Sequence, residues 1–109
     1  MSTPAYDRER DLQDQITEMA EKWLGWQWVH FRPARTQHGW RTPVSGPLGK
    51  GWPDLVLVRG PRIIAAELKS TKGKVTTEQT EVLGALNLAG VETYIWRPAD
   101  WDHIVQILR

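Results

Sequence analysis

Two apolar runs, "DLVLVR" and "RIIAAELKS", flank the dipeptide Gly60-Pro61. This pattern restricts the chain more than any other, because Gly-Pro between two strand-like runs is a turn signal and predicts a β-hairpin. Both runs are apolar on both faces, so the two strands belong in the middle of a sheet, with helices covering them. A turn centred between Gly60 and Pro61 pairs Arg59 with Arg62 and Val58 with Ile63. Carried outward, the same register sets Asp54 directly opposite Glu67, and a one-residue bulge would break that match.

Directly opposed residues have Cβ atoms about 5 Å apart, and like charges there are destabilising. A protonated carboxyl or a cation would offset the repulsion. Lys69 lies two residues beyond Glu67 and therefore shares its face. Two carboxylates holding a divalent ion beside a lysine form an arrangement suited to metal-assisted phosphodiester cleavage. The ion lowers the pKa of a bound water, and the lysine orients the nucleophile or stabilises developing charge. Oxygen ligands without His or Cys favour Mg²⁺ or Mn²⁺ over zinc. The plainer alternative is that Asp54 caps a turn and Glu67 pairs with Lys69 at a strand end.

Around the hairpin the sequence predicts an order αβββαβα, a mixed sheet flanked by helices. Residues 1–6 read as a flexible tail and 7–109 as one domain. Leu12, Ile16, Ala20 and Trp23 form the buried stripe of a first helix over about Asp7–Leu24, with Gly25 as its stop. "WQWVHFR" (Trp26–Arg32) alternates as a strand. Pro33–Pro53 has no period and reads as a long loop, of the kind that is usually functional or disordered. A second helix follows over Thr76–Gly90, with Val82, Leu83, Leu86 and Leu88 inward. Val91–Pro98 is then a strand, and a last helix closes the chain.

The first helix provides a further acid. Glu9 is the one carboxylate on the buried stripe; it either takes part in a site or sits at the positive end of the helix dipole. Gln79 is also ambiguous. Thr76-x-x-Gln79 fits a capping box, yet Gln79 could face the cleft instead, or serve both roles by switching partners.

The net charge of +1 conceals an uneven distribution. From Arg32 to Lys74 nine basic residues stand against two acids, a net +7, while the flanking segments each carry −3. A basic middle between acidic flanks suggests a polyanion partner, with nucleic acid first among candidates. Arg32, Arg35, Arg41, Lys50, Lys72 and Lys74 fall around the carboxylates, where phosphates beside a scissile bond would be gripped. Trp40 could stack on a splayed base or pack its loop against the body. The other six tryptophans read as core, and His30, His38 and His103 have no ligand spacing. Cysteine is absent, which excludes disulfides and thiolate metal sites and fits a cytoplasmic setting. No apolar stretch is long enough to span a membrane.

Pro53-Asp54…Glu67-Leu68-Lys69, with Glu9 on the helix before and Gln79 on the helix after, resembles the PD-(D/E)XK nuclease superfamily. Within it the likeness is to the virus-type replication-repair nuclease (VRR-NUC) branch, related to Holliday-junction resolvases and including bacteriophage members. "ERDLQDQI", "GWPDLVLV" and "AAELKSTKGKVTTEQ" carry the resemblance, which covers nearly the whole chain. It implies an α/β, restriction-endonuclease-like αβββαβ core and Mg²⁺-dependent hydrolysis of DNA, with Mn²⁺ as a substitute. Asp54 and Glu67 would bind the metal, with the Leu68 carbonyl and, directly or through water, Glu9. Lys69 would be the catalytic lysine and Gln79 would face the cleft.

The function expected on these grounds is a metal-dependent DNA endonuclease selective for branched, flap or Holliday-junction DNA, acting in phage-type replication, recombination or repair. A DNA-binding accessory module without turnover and a sequence-specific restriction-type nuclease are the alternatives. Junction resolution needs two symmetric cuts and so implies a C₂ homodimer, for which Trp23, Trp26 and Trp28 offer one surface.

Overall fold

The computed structural model describes residues 8–31, 34–37, 39–41 and 44–109, with only the backbone described at 34–36 and 39–41. The predicted tail and Arg32 lie outside the described residues. At the centre is a four-stranded sheet in the order β1-β4-β5-β6. It consists of β1 (Gln27–His30), β4 (Leu55–Arg59), β5 (Arg62–Leu68) and β6 (Glu92–Trp96). β1, β4 and β5 are antiparallel neighbours, and β6 runs parallel to β5. A parallel pair needs a crossover, which the helix α2 (Thr77–Leu88) supplies. With α1 (Glu9–Trp23) before the sheet and α3 (Trp101–Leu108) after it, the described residues form an α/β fold with three α-helices.

The hairpin takes the register expected from its turn: Arg59 pairs with Arg62, Val58 with Ile63, and the ladder continues to Leu55 opposite Ala66. Gly60 has φ +57. A two-residue hairpin loop needs that left-handed conformation at its first central position, and Pro61 fits the second. As expected, β4 and β5 are the two central strands. The alternation of side chains then sorts the sheet into two faces.

One face holds the core. Leu55, Leu57, Ile64, Ala66, Leu68 and Trp96 pack with Leu12, Ile16 and Ala20 of α1 and Ile104 and Leu108 of α3. Trp26 is buried among them and donates its indole N–H to the Leu108 carbonyl at 2.9 Å. The other face is covered by α2, through Val82 and Leu83, along its β5–β6 side. Among the described residues no helix covers its remainder, so the expectation that helices cover both strands holds for one face and only in part for the other. Val29, Val58, Ile63 and Ile95 are each 38–49% exposed.

Three other sequence expectations need correction. Trp23 is 77% exposed and Leu88 91%, although both were placed inward. Each lies at the last turn of its helix, where the helix overhangs the core. Trp26 is buried, so it cannot belong to a docking surface together with Trp23. The supposed loop 33–53 contains a short hairpin, β2 (Ala34–Thr36) with β3 (Gly39–Arg41), and a 3₁₀ turn at Gly49–Gly51. Among the described residues no helix is long and apolar enough to cross a membrane.

Candidate active site

Asp54 immediately precedes β4, Glu67 lies near the end of β5, and Lys69 comes just after it. One step beyond the Leu55–Ala66 pair sets Asp54 against Glu67, and the alternation turns both toward the face opposite the core. These three side chains meet Glu9 from the start of α1 and Gln79 from the first turn of α2 around one cavity of about 500 Å³. Lys50 reaches it from the 3₁₀ turn.

The geometry is tight and polar where the hairpin ends. Glu67 is 1% exposed and Lys69 8%. The Lys69 ammonium is 3.4 Å from Glu67 Oε2, and Gln79 Nε2 donates to the same oxygen at 2.8 Å. Among the described residues no N–H or hydroxyl donor reaches Glu67 Oε1, which is buried. Asp54 is half-buried and accepts from the Leu68 N–H at 3.0 Å. In an antiparallel ladder a residue's N–H and C=O address the same neighbour. The Leu68 carbonyl therefore belongs to the edge on which Asp54 sits.

Burial pushes the Glu67 carboxyl up to about 8, and the adjacent Asp54 charge adds to that rise while Lys69 opposes it. Burial also raises Asp54, offset by the Leu68 N–H, by Glu67 and by the charges of Lys69 and His30. Desolvation and then the Asp54 charge raise Glu9, with Lys69 again opposing. In this state the two opposed carboxyls hold a proton between them, because two anions so close and so dry cannot both stay ionised.

Two acids with raised pKa form a set of hard oxygen donors that suits Mg²⁺ or Mn²⁺, with the Lys69 ammonium beside them. Among the described residues no three His, Cys, Asp or Glu side chains converge closely enough to form a ready-made cluster. Asp54 and Glu67 are a pair, and Glu9 stands exposed at the cavity edge.

Gln79 resolves its ambiguity without switching. Its backbone N–H donates to Thr76 Oγ1 at 3.1 Å and its Oε1 accepts from the Thr76 N–H at 2.9 Å, completing the capping box. Its Nε2 is left over and bonds Glu67. One amide thus fixes the helix start and orients the acid together. Gly51 makes this possible, since a Cβ there would collide with the Glu78 carbonyl at the start of α2.

The basic residues divide into groups. Lys50 lines the cavity but is 3.2 Å from Glu78 Oε1, in an exposed pair. Lys72 and Lys74 are exposed on the segment after Lys69 and do not line the cavity. Arg35 and Arg41 sit on the β2–β3 hairpin, Arg35 opposite Trp40, and their side chains lie outside the described residues. His30 stacks on Trp28 at 5.4 Å between ring centroids.

Sequence reasoning did not single out Phe31, Val44 and Trp52 as cavity residues, nor Arg97, which donates to the Ser70 carbonyl at 2.7 Å and braces the turn after Lys69. The irregular backbone carrying the first three gives no periodic signal. The Gly-rich "GPLGKGWP" before Asp54 was the one available hint. Compared with protein-family models and with curated proteins, this chain has no match.

Proposed function

We propose that this protein is a metal-dependent DNA endonuclease with a restriction-endonuclease-like core, selective for branched or flapped DNA. One observation carries the reading: a buried glutamate, its pKa raised to about 8, stands opposite a second acid with a lysine 3.4 Å away. A structural ion pair would balance its charges, whereas here two acids crowd one ammonium and burial raises both of them.

Asp54 and Glu67 would hold the ion, with the Leu68 carbonyl, and Glu9 would complete the set directly or through water. When bound, Mg²⁺ or Mn²⁺ would lower the pKa of a coordinated water and screen the phosphate. Lys69 orients the attacking water and stabilises charge developing on the phosphate; it is held for this by Glu67. Gln79 keeps the Glu67 carboxylate aimed into the cavity through a hydrogen bond anchored by the helix cap. The basic middle of the sequence would draw in the DNA backbone. A C₂ homodimer would deliver the two symmetric cuts that junction resolution needs.

The test is direct. Purified protein is incubated with a four-way junction, a flap, plain duplex and single strands, with Mg²⁺ or with EDTA. Metal-dependent cutting is expected, strongest on the branched forms. No cutting of any of the four would sink the reading. Lys69→Ala should abolish cleavage while leaving DNA binding largely intact.

A further inference from the structure

A second cavity, of about 350 Å³, overlaps the acidic one at Phe31, Val44, Ser45, Gly46, Gly49 and Trp52. Pro47 and Leu48 complete its wall, and none of the described residues lining it is charged. Resting on the nuclease reading above, we infer that this pocket is a nucleobase subsite: it takes one unpaired base next to the scissile phosphate. The enzyme thereby selects DNA that carries an unstacked nucleotide.

Two features favour that occupant. The pocket opens into the cavity of Asp54, Glu67 and Lys69, so a largely apolar group seated in it can be joined to a phosphate that reaches Lys69. A nucleotide is such a group. Its walls are aromatic, Phe31 and Trp52, with ring centroids 5.9 Å apart and planes at 81°. Aromatic walls hold bases of any sequence, because every base has a π-face.

The wall is held at a fixed offset from the acids. Trp52 lies two residues before Asp54, and its N–H donates to the Gly49 carbonyl. Phe31 N–H donates to the Asp54 carbonyl at 2.8 Å. A base seated between Phe31 and Leu48 would therefore belong to a nucleotide beside the one whose phosphate meets Lys69. Leu48, 43% exposed, forms the lip through which the base would enter.

The experiment uses a duplex with a single 2-aminopurine bulge and the same duplex fully paired. Binding is measured with Ca²⁺ in place of Mg²⁺, and cutting with Mg²⁺. The expected result is quenching of 2-aminopurine fluorescence on binding, together with cleavage at the bulge about tenfold or more above the paired control, the size of one stacked base. Leu48→Trp, which fills the pocket, should bring the ratio of the two rates close to one and remove the quench. If Leu48→Trp fails to fold, the quench in the unaltered protein still decides. Equal cutting of bulged and paired DNA, or binding without quenching, would overturn the base pocket while leaving the nuclease standing. Quenching on a DNA that is never cut would support the pocket and remove the nuclease.

Discussion

The β4–β5 hairpin sets like charges against each other at both of its ends. At the turn, Arg59 is paired with Arg62; at the open end, Asp54 faces Glu67. The two ends deal with this conflict in different ways. Arg59 donates to the carbonyls of Leu24, Leu108 and Arg109 at 2.8–3.1 Å. Arg62 grips Glu92 with two bonds of 2.8 Å and reaches the Ile107 carbonyl at 3.2 Å. Both guanidinium groups also lie over the Trp26 ring, at 4.4 and 5.2 Å from its centroid. The carbonyls at the end of α3 are groups a helix leaves unpaired, at the negative end of its dipole. The turn end is thus tied to fixed partners. The open end is not: two carboxyls crowd one ammonium, and Glu67 holds a proton well above its ordinary range. Like charges that are balanced at the turn and left unbalanced at the open end mark the open end as the candidate site.

The largest effect belongs to the unbalanced end. Glu67→Gln should lower Mg²⁺-dependent cleavage by roughly a thousandfold or more, since one charged group acting on the transition state is worth about 10²–10³ and the metal is weakened as well. The same variant should fold well, because a neutral amide relieves the repulsion with Asp54. A variant that cuts at near-normal rate would erase the contrast between the two ends.

Next is a pH signature in the metal-free protein. Glu67 has its pKa raised from 4.5 to about 8 in the folded state. Below 4.5 it is protonated folded or unfolded and contributes nothing to the pH slope. Between 4.5 and about 8 the unfolded chain has released a proton that the folded chain keeps, so stability falls as pH rises, and it levels off above. The loss is on the order of 3–5 kcal/mol, with Asp54 and Glu9 shifting in the same sense. Thermal unfolding in EDTA at pH 5 and pH 8 measures it. Glu67→Gln should flatten most of the slope, and Mg²⁺ should raise the melting temperature far more at pH 8 than at pH 5. Parallel pH curves for the variant and the unaltered protein would sink this account.

How these ends were legible in sequence differs too. The acidic pair and its register followed from two apolar runs about Gly60-Pro61, because a two-residue turn leaves one in-phase pairing. Arg59 opposite Arg62 followed from the same count, but their partners did not. The Leu24, Ile107 and Leu108 carbonyls are far away in sequence, and no local pattern announces a helix end arriving at a turn. The same limit applies to Trp23 and Leu88. Periodicity assigns a helical face but not where the sheet beneath it stops. Between Pro33 and Pro53, Pro and Gly masked a short hairpin, and the walls of the apolar cavity come from irregular backbone there.

A smaller expected effect tests the satisfied end. Arg59→Ala removes three charge-assisted bonds to carbonyls and a cation–π contact, so a loss of about 2–3 kcal/mol is expected. Cleavage per folded molecule should stay within about twofold, since Arg59 is at the opposite end of the hairpin from Asp54. Denaturant unfolding alongside cleavage under saturating Mg²⁺ would measure both quantities. A large fall in turnover by a fully folded Arg59→Ala protein would mean that the two ends are coupled through β4.

The smallest effect probes the link between cap and site. Thr76→Val keeps the shape of the side chain but removes the acceptor for the Gln79 N–H. Loss of an N-cap oxygen costs about 1 kcal/mol. In a helix that only covered the sheet, that would be the whole consequence. Here the same residue that completes the cap also bonds Glu67 at 2.8 Å, so fraying of the first turn lets the acid swing. A fall in turnover of a few-fold is expected, accompanied by weaker Mg²⁺ activation and little change in DNA affinity. Gln79→Ala should reproduce the loss of turnover with Thr76 intact. If Thr76→Val lowers stability but leaves both turnover and its metal dependence unchanged, the cap and the acid are independent, and Gln79 belongs with the satisfied structural bonds of the turn end.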